Sequence, residues 1–227
     1  RVQSRALLIA VGINEEGYRE IIGYQVVNSE SHYAWSDFFQ SLKDRGLKEV
    51  RLVTSDSHKG LVQAIHQHFQ GASWQRCQTH FSRNMLDQTP KTLQPTMKED
   101  LRELYEATDL ESAMKIRDQL FVKYDQRAPK AMNLLDEAFA DITAVLTLPH
   151  RYRKRLRTTN GVERLNQEVR RRERVIRIFP NEVSATRLMG ALLMERSEKW
   201  ETGRKYFEMD LYYQTLREKD DSPHQAA

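Results

Sequence analysis

The apolar positions change period along the chain, and each change marks an element. Ala6-Leu7-Leu8-Ile9-Ala10-Val11-Gly12-Ile13 is nearly continuous, as in a buried strand. Asn14-Glu15-Glu16-Gly17 reads as a turn, with glycine where a positive φ is tolerated. Tyr18 to Val27 is a second strand carrying Ile21, Ile22, Tyr24 and Val26, so the pair predicts an antiparallel hairpin. The spacing then lengthens to three and four at Trp35, Phe38, Phe39 and Leu42. That is one face of a helix, capped by Ser29 or Ser31 and ended by Arg45-Gly46. Val50, Leu52 and Val53 supply a short strand that ends at Asp56, and Leu61, Ala64, Ile65 and His68 return to helical spacing as far as about Phe69.

Ala72 to Cys77 is a short extended piece, Thr79 to Leu86 a helix, and Pro90 and Pro95 read as breaks. From about Met97 to Leu148 every segment is helical. Its stripes are Leu101, Leu104 and Tyr105; then Met114, Ile116, Leu120 and Phe121; then Leu134, Leu135, Ala138, Phe139, Ile142 and Val145. Pro149 and the basic run Arg151–Arg157 close this part, and Thr158 to Gly161 is a loop or helix start. A helix from Gly161 to Arg174 follows, then Ile176 to Phe179 and a break at Pro180-Asn181. Glu182 to Trp200 is a helix with Ala185, Leu188, Met189, Leu192 and Leu193 inward, and a last helix covers Tyr206 to Arg217. The pattern predicts an α/β core interrupted by an all-helical insertion. Residues 1–90 form the first part of the core, 91–155 the insertion, 156–218 the last part, and 219–227 a frayed tail.

Composition adds limits. The chain has 227 residues, 39% hydrophobic and 30% charged, enough for a sizeable core. No apolar run nears the roughly 20 residues that span a bilayer, and no signal peptide is visible. The single cysteine, Cys77, excludes an internal disulfide and suits a reducing, cytoplasmic setting. Arg1 is not an initiator methionine, so the chain reads as a piece of something longer. The net charge of +4 is uneven: eleven Lys and Arg stand against three acids between Arg151 and Arg177, a local +8 in a chain whose remainder sums to −4. Such a block either faces a polyanion or is a solvated helix face laced with ion pairs.

Two acids stand out. Asp56 is either an N-cap or an acid at the carboxyl end of a strand, where open α/β sheets place ligands. Glu163 either closes a capping box with Asn160 or, amid the arginines, offers a carboxylate to a divalent metal bridging protein and DNA. Cys77-Gln78-Thr79-His80 has two groups able to ligate zinc, but no second Cys–His pair completes a structural site. A buried Cys77 beside a hydrogen-bonded His80 that shapes the surroundings of Asp56 is the alternative. A Cys–His nucleophile gets no particular support from this spacing.

Several ordered motifs together resemble the Mutator-type transposases of bacterial insertion sequences. They are Ser55-Asp56 with Lys59-Gly60-Leu61; Trp74-Gln75-Arg76-Cys77 with His80-Phe81 and Arg83-Asn84; Leu156-Arg157-Thr158-Thr159-Asn160 with Glu163-Arg164-Leu165-Asn166; and Ile178-Phe179-Pro180-Asn181. Upstream, Gly17-Tyr18-Arg19-Glu20-Ile21, Trp35 and Arg45-Gly46-Leu47 fit the same family, and the likeness extends to about Trp200. The resemblance implies a ribonuclease-H-like core with a helical insertion before the last acid. It also implies DNA cleavage and strand transfer by an Asp–Asp–Glu triad holding two Mg2+ ions, with Mn2+ able to substitute. Asp56 matches the second aspartate, Glu163 the glutamate, and Cys77 and His80 the family's Cys-x-x-His signature. The first aspartate is expected on a strand ahead of Ala6–Ile13, and nothing acidic precedes Glu15. The chain by itself is therefore expected to be inactive or nearly so.

The resemblance further implies double-stranded DNA, transposon ends and target, as partner, and a homodimer that synapses two ends. Asn160, with Cys77 and His80, is expected to shape the site; Arg157, Arg164, Arg170, Arg171, Arg172 and Arg174 are expected to grip the DNA backbone. Two other readings remain open: a non-catalytic DNA-binding remnant, and a helical interaction module whose acids only cap helices.

Overall fold

The structure, a computed structural model, describes residues 4–176 and 178–220. Arg177 and the stretch 221–227, which the sequence placed in the basic block and the frayed tail, lie outside the described residues. The chain is mixed α/β with small sheets, and it divides into two compact units.

One unit draws on the described residues of Arg1–Glu49, Lys59–His68 and Gly161–Ala227. Strands β1 (Ala6–Ile13) and β2 (Arg19–Val27) pair antiparallel, from Ala6 opposite Val27 to Ile13 opposite Arg19, with a bulge between Ala10 and Val11. The turn is built by Asn14, whose Oδ1 accepts from the Glu16 and Tyr18 amides, and by Gly17 at φ +92°. The strand β1 is less buried than its apolar run suggested: Leu8 and Ile9 are its buried positions, because a two-stranded sheet lacks the neighbours that would enclose the rest.

Helix α1 (His32–Asp44) follows, capped by Ser31, which accepts from the Ala34 amide at 3.2 Å. Trp35, Phe38, Phe39 and Leu42 are buried as the periodicity predicted, and Gly46 at φ +105° lies just beyond the helix end. Helix α2 (Lys59–His68) packs on α1 so closely that a Cβ at Gly60 would lie 2.5 Å from the His32 amide nitrogen. Helices α8 (Asn160–Ile176) and α9 (Glu182–Glu201) cover the hairpin. Ile9, Leu165, Val169, Met189 and Leu193 form their shared core, with Leu7, Val11, Ile21 and Tyr24 against it. Beyond α9 the chain returns to the hairpin turn. The Tyr206 and Phe207 amides both donate to the Gly17 carbonyl, and Arg19 stacks on Trp200 and Tyr206. This docking holds Tyr206 and Phe207 out of the last helix, so α10 (Asp210–Asp220) starts later than the apolar spacing suggested.

The other unit comprises Val50–His58 and Phe69–Asn160. Strands β3 (Leu52–Ser55) and β4 (Ser73–Arg76) pair parallel, Leu52 opposite Ser73 through Ser55 opposite Arg76. All further elements here are helical: α3 (Gln78–Asp87), α4 (Gln94–Tyr105), α5 (Leu110–Tyr124), α6 (Pro129–Thr143), a 3-10 turn (Ala144–Thr147) and α7 (His150–Leu156). Pro95 does not break the chain as expected. It sits in the first turn of α4, where the missing N–H costs nothing. On α5 Leu120 is buried and Ile116 and Phe121 pack against the core as expected, but Met114 is 43% exposed, and Ala113 and Tyr124 are buried as well. Tyr124 donates to Asp100 of α4 at 2.5 Å. The core runs from Phe81 and Met85 through Met97, Leu101 and Leu104 to Leu135 and Ile142.

Candidate functional site

The site is assembled from segments far apart in sequence. In the β3–β4 unit, the Cys77 amide donates to the Ser55 carbonyl at 2.7 Å, extending the parallel pairing to the residue before Asp56. Asp56 therefore sits at the carboxyl end of β3, half-exposed, and its Oδ1 accepts from the His58 amide at 3.2 Å. This turn hydrogen bond occupies one carboxylate oxygen and leaves Asp56 three residues ahead of α2, so it is not the helix cap itself.

The segment 156–160 is fastened to the same place. The Thr54 hydroxyl donates to the Leu156 carbonyl at 2.6 Å, and the Gln78 amide to the Arg157 carbonyl at 3.0 Å. Cys77, wholly buried, accepts at Sγ from both the amide and the hydroxyl of Thr159, at 3.4 and 3.3 Å. Thr79 donates its hydroxyl to Asn160 Oδ1 at 3.3 Å. Asn160 is thus the first residue of α8 and holds the start of α3. Cys77 is the residue before α3, and its thiol serves as the acceptor that orders the loop. Asp56, Cys77, Arg157 and Asn160 are therefore brought together, with His80 one turn along α3 from Cys77.

Glutamines that the sequence reading did not single out brace this arrangement. Gln75, buried in β4, donates to the Arg76 and Ile142 carbonyls at 2.7 and 3.0 Å and accepts from the Val145 amide at 2.8 Å. Gln78 donates to the Ile142 carbonyl at 2.8 Å. Together they satisfy backbone groups where α6 ends. Tyr105 stands behind α3, its hydroxyl 2.8 Å from that of Ser82, and burial pushes its phenol well above the ordinary range.

The arginines divide by what they touch. Arg157 donates to the Tyr105 carbonyl at 2.8 Å and to Glu106 at 2.7 Å, and its side chain is 16% exposed. That hydrogen bond holds the Glu106 carboxyl below its ordinary value. Arg153 is likewise engaged, with the carbonyls of Leu148, Leu146 and Thr108. These two cations of the basic block tie the helical part together. Arg164, Arg170, Arg171, Arg172 and Arg174 are all exposed on α8. The side chain of Glu168 pairs with Arg196 of α9, and Arg171 and Arg172 line a cleft of about 230 Å³ with that pair, Glu195 and Lys199.

Helix α8 places these groups by periodicity. Leu165 and Val169 face the core. Glu163, in the first turn, lies seven residues from Arg170 and eleven from Arg174, two and three turns along the opposite face. A carboxylate and a row of guanidinium groups thus share one surface of one helix.

The model of the family described as "Transposase, Mutator family" matches residues 1–203 of the chain. Among curated relatives, the transposase for insertion sequence element IS256 in transposon Tn4001 of Staphylococcus aureus is 45% identical over 92% of this chain and 54% of its own length. The transposase for element ISRM5 of Rhizobium meliloti is 43% identical, over 92% of this chain and 52% of its own. That for IS1081 of Mycobacterium tuberculosis is 41% identical, over 93% and 51%. The chain spans about half the length of these relatives.

Proposed function

Since the chain belongs to the Mutator family of transposases, we propose that it contributes Asp56 and Glu163 to a metal-dependent site for cleaving and joining DNA, within a ribonuclease-H-like core that is interrupted by the helical segment. The observation that carries this reading is the fastening of residues 156–160 to the end of β3: the approach to Glu163 is anchored through Thr54, Cys77, Gln78 and Thr79 beside the strand end that bears Asp56.

The donor set suits magnesium, which prefers carboxylate oxygens and keeps room for substrate phosphates. Asp56 has one oxygen in the turn bond to His58 and a second for a cation, and Glu163 offers a further carboxylate. Two such ions, when bound, steady the attacking and leaving oxygens of an in-line displacement at phosphorus. The protein's own part is to hold its carboxylates correctly aimed. Thr159 on Cys77 and Thr79 on Asn160 do so by fixing the turn from which α8 starts. The exposed arginines of α8 fit the phosphate backbone of a duplex, which they would position without reading its sequence. A homodimer synapsing two ends belongs to the same proposal.

Manganese binding tests the shared site without requiring turnover. Titrated by electron paramagnetic resonance, the protein should bind Mn2+, and Asp56→Asn and Glu163→Gln should each weaken binding at least tenfold. The double variant should lose less than the sum of the two single losses, since both carboxylates serve the same ion. Additive losses, or no loss at Glu163→Gln, would show that the two acids serve different ends.

A further inference from the structure

The far end of α8 carries a feature that the phosphate-gripping role does not use. Val175 is 82% exposed, Ile176 41%, Ile178 62% and Val183 58%. Four large apolar side chains thus stand in solvent within nine residues, at the turn between α8 and α9. Such a concentration on a surface marks a place meant to be covered.

The turn is held from behind. Phe179 packs against the core formed by Ile9, Leu165, Val169, Met189 and Leu193, and the Ile178 amide donates to the Ile176 carbonyl at 2.7 Å. Asn181 caps α9 by accepting from the Ser184 amide at 2.9 Å. The apolar side chains therefore project from a braced corner. Their approach is cationic. Val175 continues, at helical spacing, the row of Arg164 and Arg171, while Arg170 and Arg174 stand on the adjoining face. An apolar tip on an arginine-lined helix is complementary to a duplex whose phosphates meet the arginines and whose stacked bases meet the tip.

We propose that the α8–α9 corner, through Val175 and Ile178, is a wedge that presses between base pairs of the bound duplex and kinks it. The inference rests on the reading of α8 as the DNA-facing helix. Apolar wedges flanked by cations act this way elsewhere: the cost of unstacking one step is offset by the extra backbone contact that a bent duplex allows. A wedge binds most tightly where stacking is already weakened.

The test compares two labelled duplexes of about 30 base pairs, one fully paired and one with a central two-base mismatch, by fluorescence anisotropy at fixed salt. The protein should bind the mismatched duplex at least about threefold tighter, in keeping with a saving of part of an unstacking step. Val175→Ser/Ile178→Ser should bring that ratio to about one, with circular dichroism unchanged. Arg170→Ala/Arg174→Ala should weaken both duplexes together and keep the ratio. A wild-type ratio near one, or a ratio that survives the serine pair, overturns the wedge. A serine pair that leaves the ratio intact but changes the sedimentation of the free protein shows instead that the corner meets protein, which overturns it equally. If the alanine pair leaves affinity for paired DNA untouched, the fault lies in the DNA-facing assignment of α8 and not in the wedge alone.

Discussion

A handful of side chains decide whether the β3–β4 unit holds its shape, and Gln75 is the clearest. Its amide satisfies the Ile142 and Arg76 carbonyls and the Val145 amide from a fully buried position. Gln75→Ala should cost about 2–4 kcal/mol, because buried backbone groups lose their partners. Urea unfolding checks this, and a loss below about 1 kcal/mol would mean that water replaces the amide. His68 adds a pH dependence in the other unit. Burial, helped by Lys43 and His32, lowers its pKa from 6.5, and its Nε2 lies 2.6 Å from the Ser36 hydroxyl. The folded state therefore holds the neutral ring, while the unfolded chain takes up a proton below about 6.5. Stability should fall as pH drops through that value, and His68→Gln should flatten the fall. Thermal melts between pH 7.5 and 5.5 measure it. Neither role was legible in the sequence: a glutamine two residues before a cysteine and one of several histidines carry no periodic signal.

At the scale of elements, α1 and α6 were readable because each has a face wide enough for burial to enforce the period. Trp35, Phe38, Phe39 and Leu42 are all buried, as are Leu135, Ala138, Phe139 and Ile142. On α5 three of the four expected residues hold the face, Leu120 buried and Ile116 and Phe121 packed against the core, while Met114 turns outward and Ala113 and Tyr124 complete the buried side. The start of α10 was misjudged because Tyr206 and Phe207 are claimed by Gly17, 190 positions back along the chain. Helix α8 is the element on which DNA binding is argued. If Arg170 and Arg174 each neutralise a phosphate, Arg170→Ala/Arg174→Ala should reduce the slope of log affinity against log salt by about two. An unchanged slope would leave the basic block as a solvated face. Arg157→Ala should behave differently: it frees the Tyr105 carbonyl and Glu106, so its effect should appear in stability before it appears in salt dependence.

For the whole molecule, the two compact units each have their own core, and each is discontinuous in sequence. Leu135 is wholly buried in the helical core, and Leu135→Ala should cost about 2–5 kcal/mol through lost burial and the cavity left behind. Chemical denaturation monitored at the tyrosines and tryptophans reads it, and a cost under about 1 kcal/mol would mean that the helices collapse to fill the space.

The sequence alone determined most elements and most of their buried faces, since a strand or helix of this length declares itself through the spacing of what it must hide. It also determined the acids and arginines worth watching, because carboxylates and guanidinium groups keep their chemistry wherever they are placed. Tertiary structure decided which groups meet: that Thr159 turns to Cys77, that Arg157 serves Glu106, and that Thr54 catches Leu156. Those bonds join residues tens of positions apart. Local spacing cannot encode such partners, because their geometry exists only after the chain has closed.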